Sequence, residues 1–188
     1  MTDSIDLDFG PLNGLIGKWV GDKGLDIAPE PDGKEENPYY ETIEYNVVGD
    51  VTNAESQTLF VIRYLQSVKR KSNDKEFHNQ LGYWIWDPKE KIVMHSLIIP
   101  RAVNVLAGGK YSGETDENGN VIITVSASMD NPDWGIIQSP FMRDNACTKQ
   151  FSQELIIGKD SLSYSQNTVV DIYGKVFDHT DVNTLTPA

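Results

Sequence analysis

The chain has 188 residues, of which 39% are hydrophobic and 10% aromatic, enough apolar material for one folded domain over residues 1–188. Its net charge of −12 would repel nucleic-acid phosphates and anionic lipid headgroups. No apolar run approaches the roughly 20 residues of a membrane helix, and the acidic N-terminus is unlike a signal peptide. We therefore expect no nucleic-acid partner and no membrane partner, and a cytoplasmic location.

The first predicted strand is Leu15–Gly24. Its Trp19 is flanked at two-residue spacing by Gly17 and Gly21, so one face carries a large ring between two positions without side chains. Glycine inside a strand is typical of a bend or of a close approach between backbones, and a barrel needs both where its strands turn corners.

A turn-rich segment, Asp8–Gly14, precedes this strand. Apolar side chains at Phe9, Leu12 and Ile16 recur through the segment and into the strand. We expect them to plug one end of a barrel.

The segment Asp26–Pro38 has three prolines between Asp26 and Pro38 and is rich in acidic residues. Prolines remove backbone donors, and clustered carboxylates avoid packing. We therefore predict a solvated loop over this segment.

Strand patterns continue to the end of the chain, and no sustained helical period interrupts them. Asp87–Glu90 and Asn118–Gly119 are typical of hairpin turns. With the first strand, the predicted strands number ten: Leu15–Gly24, Tyr40–Val48, Gln57–Leu65, Phe77–Trp86, Lys91–Ile98, Arg101–Tyr111, Val121–Ala127, Thr148–Ile157, Ser161–Ile172 and Lys175–Leu185.

One long loop, residues 129–147, interrupts the strands and is too apolar for a free linker. Loops of this length in compact domains often act as lids or plugs. Burial of Ile136, Ile137, Phe141 and Met142 is worth roughly 1.5–3 kcal/mol each. We expect all four to dock at the mouth of the barrel.

Ten short strands joined mainly by hairpin-like turns predict an all-β fold, an antiparallel up-and-down β-barrel that avoids exposed edges by pairing its first strand with its last. A barrel of this size encloses room for a ligand. The function is therefore expected inside the barrel.

Catalytic sequence motifs give little support to common enzyme classes. There is no G-x-S-x-G, no H-E-x-x-H and no glycine-rich phosphate loop. The single cysteine, Cys147, excludes an internal disulfide and a thiolate metal cluster. The sequence therefore does not support assignment as a hydrolase, a kinase or a zinc enzyme.

Three segments carry a resemblance to a known family. Leu12–Gly21 resembles the L-x-x-L-x-G-x-W-x-G opening of the nitrobindin family, whose members are haem-binding β-barrels of fatty-acid-binding-protein-like architecture. His78–Tyr83 resembles that family's H-x-E-x-G-Y/F strand, and His179–Leu185 falls where the family carries its proximal haem histidine. The matches span essentially the whole chain in the right order.

The resemblance implies a barrel that holds ferric haem b through His179 as the axial metal ligand. We also name Trp19, Thr42, His78 and Arg101 as candidate cofactor contacts. For Trp19 a core position is the alternative, and for Arg101, which could pair with a haem propionate, a solvated side chain is the alternative. In characterised members of the family the iron reacts with nitric oxide or peroxynitrite. If haem is bound, the resemblance extends to an activity of the peroxynitrite isomerase kind.

The residues alone leave the role of His179 open. An axial ligand must be a neutral imidazole in a dry pocket with its other nitrogen held by an acceptor. Strand alternation places Asp181 and Asn183 on the same side as His179, a polar lining for a porphyrin, and a surface histidine is the alternative. His78 lines the pocket or faces solvent, and His95 is interpreted as a hydrogen-bonded barrel histidine.

Two functions therefore remain from the sequence. In the first, the barrel binds haem and reacts with small nitrogen oxides at the iron. In the second, it is a non-haem carrier or sensor of a small apolar ligand, similar to lipocalins and fatty-acid-binding proteins, with residues 129–147 as its lid.

Overall fold

The computed structural model of the protein describes residues 7–188. A 3-10 helix, Gly10–Leu15, precedes the first strand, and a short α-helix, α1, spans Pro140–Asn145. The strands of the described range are β1 Gly17–Glu30, β2 Gly33–Asn53, β3 Gln57–Arg70, β4 Glu76–Asp87, β5 Ile92–Ile99, β6 Val103–Lys110, β7 Val121–Ser128, β8 Ile136–Gln138, β9 Ala146–Ile157, β10 Leu162–Ile172 and β11 Lys175–Pro187.

Ten of these strands form a closed antiparallel barrel. Each of β1 to β6 pairs with the next, β7 pairs with β9, and β9, β10 and β11 follow in order. The link between β6 and β7 is a single pair, Gly108 with Ser126. The last strand returns to the first, and this β1–β11 pairing closes the ring. The predicted ten-stranded barrel is confirmed, and the additional short strand β8 pairs with β6.

The prediction of a solvated loop at Asp26–Pro38 is wrong. The segment is the end of a long β1–β2 hairpin, and the paired positions continue from Leu25–Pro38 to Glu30–Gly33. Asp26 and Asn37 are buried inside the hairpin, where the Asn37 amide donates to Asp26 Oδ2 at 3.0 Å. Pairing of β1 with β2 along the hairpin, and of Asp26 and Ile27 with β11, outweighs the local bias of the prolines and acids.

The N-terminal segment plugs one end of the barrel. Phe9, Leu12 and Leu15 are buried, and the Trp19 indole donates to the Leu15 carbonyl at 2.8 Å. Ile16 was expected in this plug, but its side chain is 41% exposed because it follows the end of the 3-10 helix. Leu15 takes the inward position instead.

Residues 129–147 are only partly docked. Ile136 is buried through the pairing of β8 with β6, and Met142 packs against the core. Ile137 and Phe141 are 76% and 70% exposed, so the expectation that all four residues bury is wrong for these two. Ile137 follows Ile136 on a strand, and alternation turns it outward.

Among residues 7–188, no helix has both the length and the apolar character needed to cross a membrane.

Candidate functional site

A cavity of about 490 Å³ occupies the barrel at the end opposite the plug. This volume lies within the range of about 300–1,000 Å³ that is common for small-molecule sites. One wall is apolar and is formed mainly by Leu97, Ile99, Val103, Val105, Phe151 and Val170. The cavity can therefore hold a largely hydrophobic ligand.

The opposite part of the wall contains a histidine between two carboxylates. His179 and Asp181 lie two residues apart on β11, so both face inward, and Asp26 of β1 is the cross-strand partner of Asp181. His179 Nε2 lies 2.5 Å from Asp26 Oδ1 and 3.8 Å from Asp181 Oδ2. The imidazole is therefore fixed by an ion pair or a charge-assisted hydrogen bond.

Burial and charge act against each other in this group. Burial opposes ionisation of Asp26, but the hydrogen bond and the charge of His179 outweigh it and lower the pKa of Asp26. Burial also opposes protonation of His179, yet the two carboxylates raise its pKa. Burial raises the pKa of Asp181 to about 7. The arrangement favours an Asp26 carboxylate paired with a protonated His179.

A hydrogen bond from Asn37, itself held by Arg70, also fixes the position of Asp26. Asn37 donates to its second oxygen at 3.0 Å, and Arg70 Nε donates to Asn37 Oδ1 at 2.9 Å. The Arg70 guanidinium lies 4.4 Å from the centroid of the Phe77 ring. This chain of contacts connects the carboxylate to a cation at the rim of the cavity.

A second polar network lies deeper in the same wall. The Gln66 amide donates a hydrogen bond to Glu41 Oε2, and the Asn183 amide donates one to Glu41 Oε1, both at 2.7 Å. The hydroxyls of Tyr39 and Tyr164 are 2.6 Å apart. Burial raises the pKa of Glu41, and the hydrogen bonds from the two amides partly oppose this shift.

His78 faces the cavity and connects to the core through a chain of hydrogen bonds. Its Nε2 lies 3.3 Å from Gln80 Oε1, and the Gln80 amide donates to the Tyr64 hydroxyl at 2.6 Å. The Tyr64 hydroxyl lies 2.7 Å from His95 Nε2. Burial lowers the pKa of His78, which favours the neutral imidazole at the cavity wall.

His95 is a core residue. It is 1% exposed, and its ring stacks on Trp84 with a centroid distance of 4.0 Å. Burial lowers the pKa of His95 to about 3. Because the Tyr64 hydroxyl already accepts from Gln80, it can donate a hydrogen bond to Nε2 of the neutral ring, which confirms the interpretation of His95 as a hydrogen-bonded barrel histidine.

The structure brings together three of the residues singled out from the sequence. His179, His78 and Arg101 all line the cavity, and Arg101 lies in the exposed turn between β5 and β6. Trp19 lies in the core beside the plug, and Thr42 alternates with the inward-facing Glu41 and is directed away from the interior. Neither belongs to the described cavity lining.

Sequence reasoning missed Asp26, Asn37 and Arg70. Asp26 and Asn37 fall in the segment interpreted as a loop, and Arg70 lies between the predicted strands Gln57–Leu65 and Phe77–Trp86. The strict alternation of Asn37, Tyr39 and Glu41 was the available signal, since side chains two apart on a strand share a face.

A closed antiparallel barrel around a partly apolar cavity that contains histidines is the architecture of a ligand-binding β-barrel protein. Residues 8–186 match the model of the THAP4-like, heme-binding beta-barrel domain family, the nitrobindin family, and the chain belongs to it. Haem is the cofactor of this domain family. A solved structure described as Rv2717c from M. tuberculosis has the same fold: its TM-score is 0.70 at 21% identity, over 96% of this chain and 99% of that one. No curated protein matches the sequence significantly.

Proposed function

We propose that the barrel binds haem b in its cavity, with His179 as the axial ligand, and reacts with nitric oxide or peroxynitrite at the iron. The observation that carries the proposal is the position of His179. It lies on the last strand, half-buried in the wall of the main cavity, in a chain whose residues 8–186 match a haem-binding family.

The cavity supports the proposal in two further ways. Its apolar wall suits the porphyrin ring, and Arg70 and Arg101 at its rim carry the charge that propionates require. Asp26 is an acceptor for an imidazole nitrogen, the arrangement that orients axial histidines and raises their basicity. Because Asp26 and Asp181 both lie near Nε2, an axial role requires the ring to turn away from them or to bind through Nδ1.

The bound iron would supply an open coordination position for a small nitrogen oxide. His179 would first lose its proton, since only a neutral imidazole binds a metal. His78 would present a neutral ring, held by Gln80, for hydrogen bonding to a ligand in the cavity. The apolar side chains opposite would exclude water from the site.

The test is a hemin titration of the wild-type protein and two variants. His179→Ala should abolish the Soret band of histidine-ligated ferric iron. His78→Ala, which removes another cavity histidine, is the matched control and should retain that coordination. In a rapid-mixing experiment, the haem-loaded protein should then accelerate the decay of peroxynitrite.

An unchanged spectrum in His179→Ala would refute the axial role. If hemin binds only weakly and nonspecifically, the carrier of small apolar ligands becomes the better function. A thermal-shift screen of fatty acids and aromatic compounds would then identify its ligand class.

A further inference from the structure

The group formed by Asp26, His179 and Asp181 has the composition of a metal site that needs no porphyrin. One ligand atom from each side chain lies within 4.8 Å of the other two. Ligands about 2.0–2.2 Å from one ion lie roughly 3–3.5 Å from each other. Small side-chain rotations therefore suffice to bring one nitrogen and two oxygens around a common centre.

Backbone pairing places these donors accurately. His179 and Asp181 are two residues apart on β11, which puts both on the inner face. Asp26 lies directly opposite Asp181 on β1. All three therefore project from two adjacent, hydrogen-bonded strands of the barrel wall, a rigid support of the kind that metal sites require.

Among the described residues, His179 is the one basic side chain that pairs with the two carboxylates. Like charges directly opposite each other in a sheet are destabilising, and the Asp26 and Asp181 side chains are only 5% and 22% exposed. Within residues 7–188, no Lys or Arg nitrogen lies within 4.0 Å of either carboxylate, and His179 alone pairs with them. A cation would stabilise this pair.

A supporting layer also surrounds the group. Asn37 holds the second oxygen of Asp26, and Arg70 holds Asn37. Hydrogen bonds of this kind orient carboxylate ligands and are a regular part of metal sites. The three side chains also line the cavity, so a bound ion would be reached through its mouth.

We propose that Asp26, His179 and Asp181 bind a divalent transition-metal ion, with Zn²⁺ as the reference ion. One imidazole and two carboxylates suit Zn²⁺, whereas Mg²⁺ prefers oxygen ligands alone. Three protein ligands leave a coordination position open, as in catalytic rather than structural zinc sites. The proposal goes beyond haem binding and does not rest on it: haem iron needs only His179, whereas this ion needs all three side chains.

The experiment is a Zn²⁺ titration of tag-free, haem-free protein, followed by calorimetry and by competition with a chromophoric chelator. We expect one equivalent to bind with micromolar or tighter affinity and to raise the melting temperature, and Mg²⁺ to bind at least about 100-fold more weakly. Asp181→Asn should weaken Zn²⁺ binding by at least about tenfold, and His179→Ala should abolish it. Asp178→Asn, the same charge change on the outward face of β11, should leave it unchanged.

Circular dichroism and thermal melting of each variant separate lost ligands from lost folding. The absence of a stoichiometric site, or equal affinity in Asp181→Asn and wild type, would overturn the proposal. A hemin titration of Asp181→Asn distinguishes the two functions. We expect Asp181→Asn to lose Zn²⁺ binding and to keep the histidine coordination of hemin. If the wild-type protein binds Zn²⁺ but does not coordinate hemin, the haem proposal alone is refuted.

Discussion

Asp26 and Asp181 lie directly opposite each other on the two strands that close the barrel. The His179 imidazole lies between their carboxylates, with Nε2 2.5 Å from Asp26 Oδ1 and 3.8 Å from Asp181 Oδ2. Because β1 and β11 are the first and last strands, this group forms only when the two ends of the chain pair. A ligand bound there would stabilise the β1–β11 seam.

Burial of the neutral His95 makes stability depend on pH. Its pKa falls from the usual value near 6.5 to about 3 in the folded protein, so below pH 6.5 the unfolded chain binds a proton that the folded protein does not. This contribution to stability is present above pH 6.5 and is lost by about 1 kcal/mol per pH unit as the pH falls toward 3.

The measurement for this residue is urea unfolding at pH 7.5, 6.0 and 5.0. His95→Gln cannot ionise at this position, and the stability difference between wild type and variant should shrink as the pH falls. The groups common to both proteins cancel in that difference. Parallel pH dependences of the two proteins would contradict the prediction.

Gly24 permits a close approach between β1 and the ring of Tyr39. A Cβ at this position would lie 2.0 Å from Tyr39 Cε2, and Tyr39 is only 1% exposed, so the ring has no free space. Gly24→Ala should therefore destabilise the protein by about 1–3 kcal/mol through overpacking. Gly33→Ala, whose Cβ meets nothing within 4 Å, is the matched control in denaturant unfolding. Equal stability of the two variants would argue against this packing.

The N-terminal plug should contribute to the stability of the barrel. Leu12 is fully buried, and Leu12→Ala should cost about 2–5 kcal/mol because it removes contacts and leaves a cavity. Ile16→Ala, at the neighbouring exposed position, should cost less than about 1 kcal/mol. Unfolding midpoints in guanidinium chloride measure both, and a small effect of Leu12→Ala would show that the plug is dispensable.

Phe141 is expected to control access to the cavity. Its side chain is 70% exposed yet belongs to the cavity lining, so Phe141→Ala should change stability by no more than about 0.5 kcal/mol. Hemin uptake, followed by stopped-flow absorbance, should become roughly twofold faster or more because the entrance widens. Ile137→Ala removes a similarly exposed side chain outside the lining, and an equal acceleration in that control would exclude a specific role for Phe141.

Local pattern was sufficient for much of this fold. Alternation of apolar and polar residues predicted the barrel strands from Gln57 onward to within about five residues, but it missed the short strand β8. The Asn118–Gly119 turn precedes β7 as expected. Alternation also placed His179 on the same face as Asp181. These features depend on neighbours along one strand, whose side-chain period of two is visible in a single segment.

Local pattern failed where partners from distant segments decide the structure. Asp26–Pro38 has the composition of a loop. Its two halves nevertheless pair with each other as a hairpin, and its first residues also pair with β11. Ile16 and Leu15 are both apolar, and only packing at the end of the barrel decides which one is buried.

The sequence by itself determined the ten strands of the barrel, its antiparallel architecture and the family, because strand periodicity and short motifs are properties of contiguous residues. Only the tertiary structure decided that Asp26 contacts His179, a residue 153 positions away. That contact depends on ladder register and on the closure of the first strand against the last. Neither is encoded within a single strand, since hydrogen-bonded pairing between distant strands forms only when the whole barrel closes.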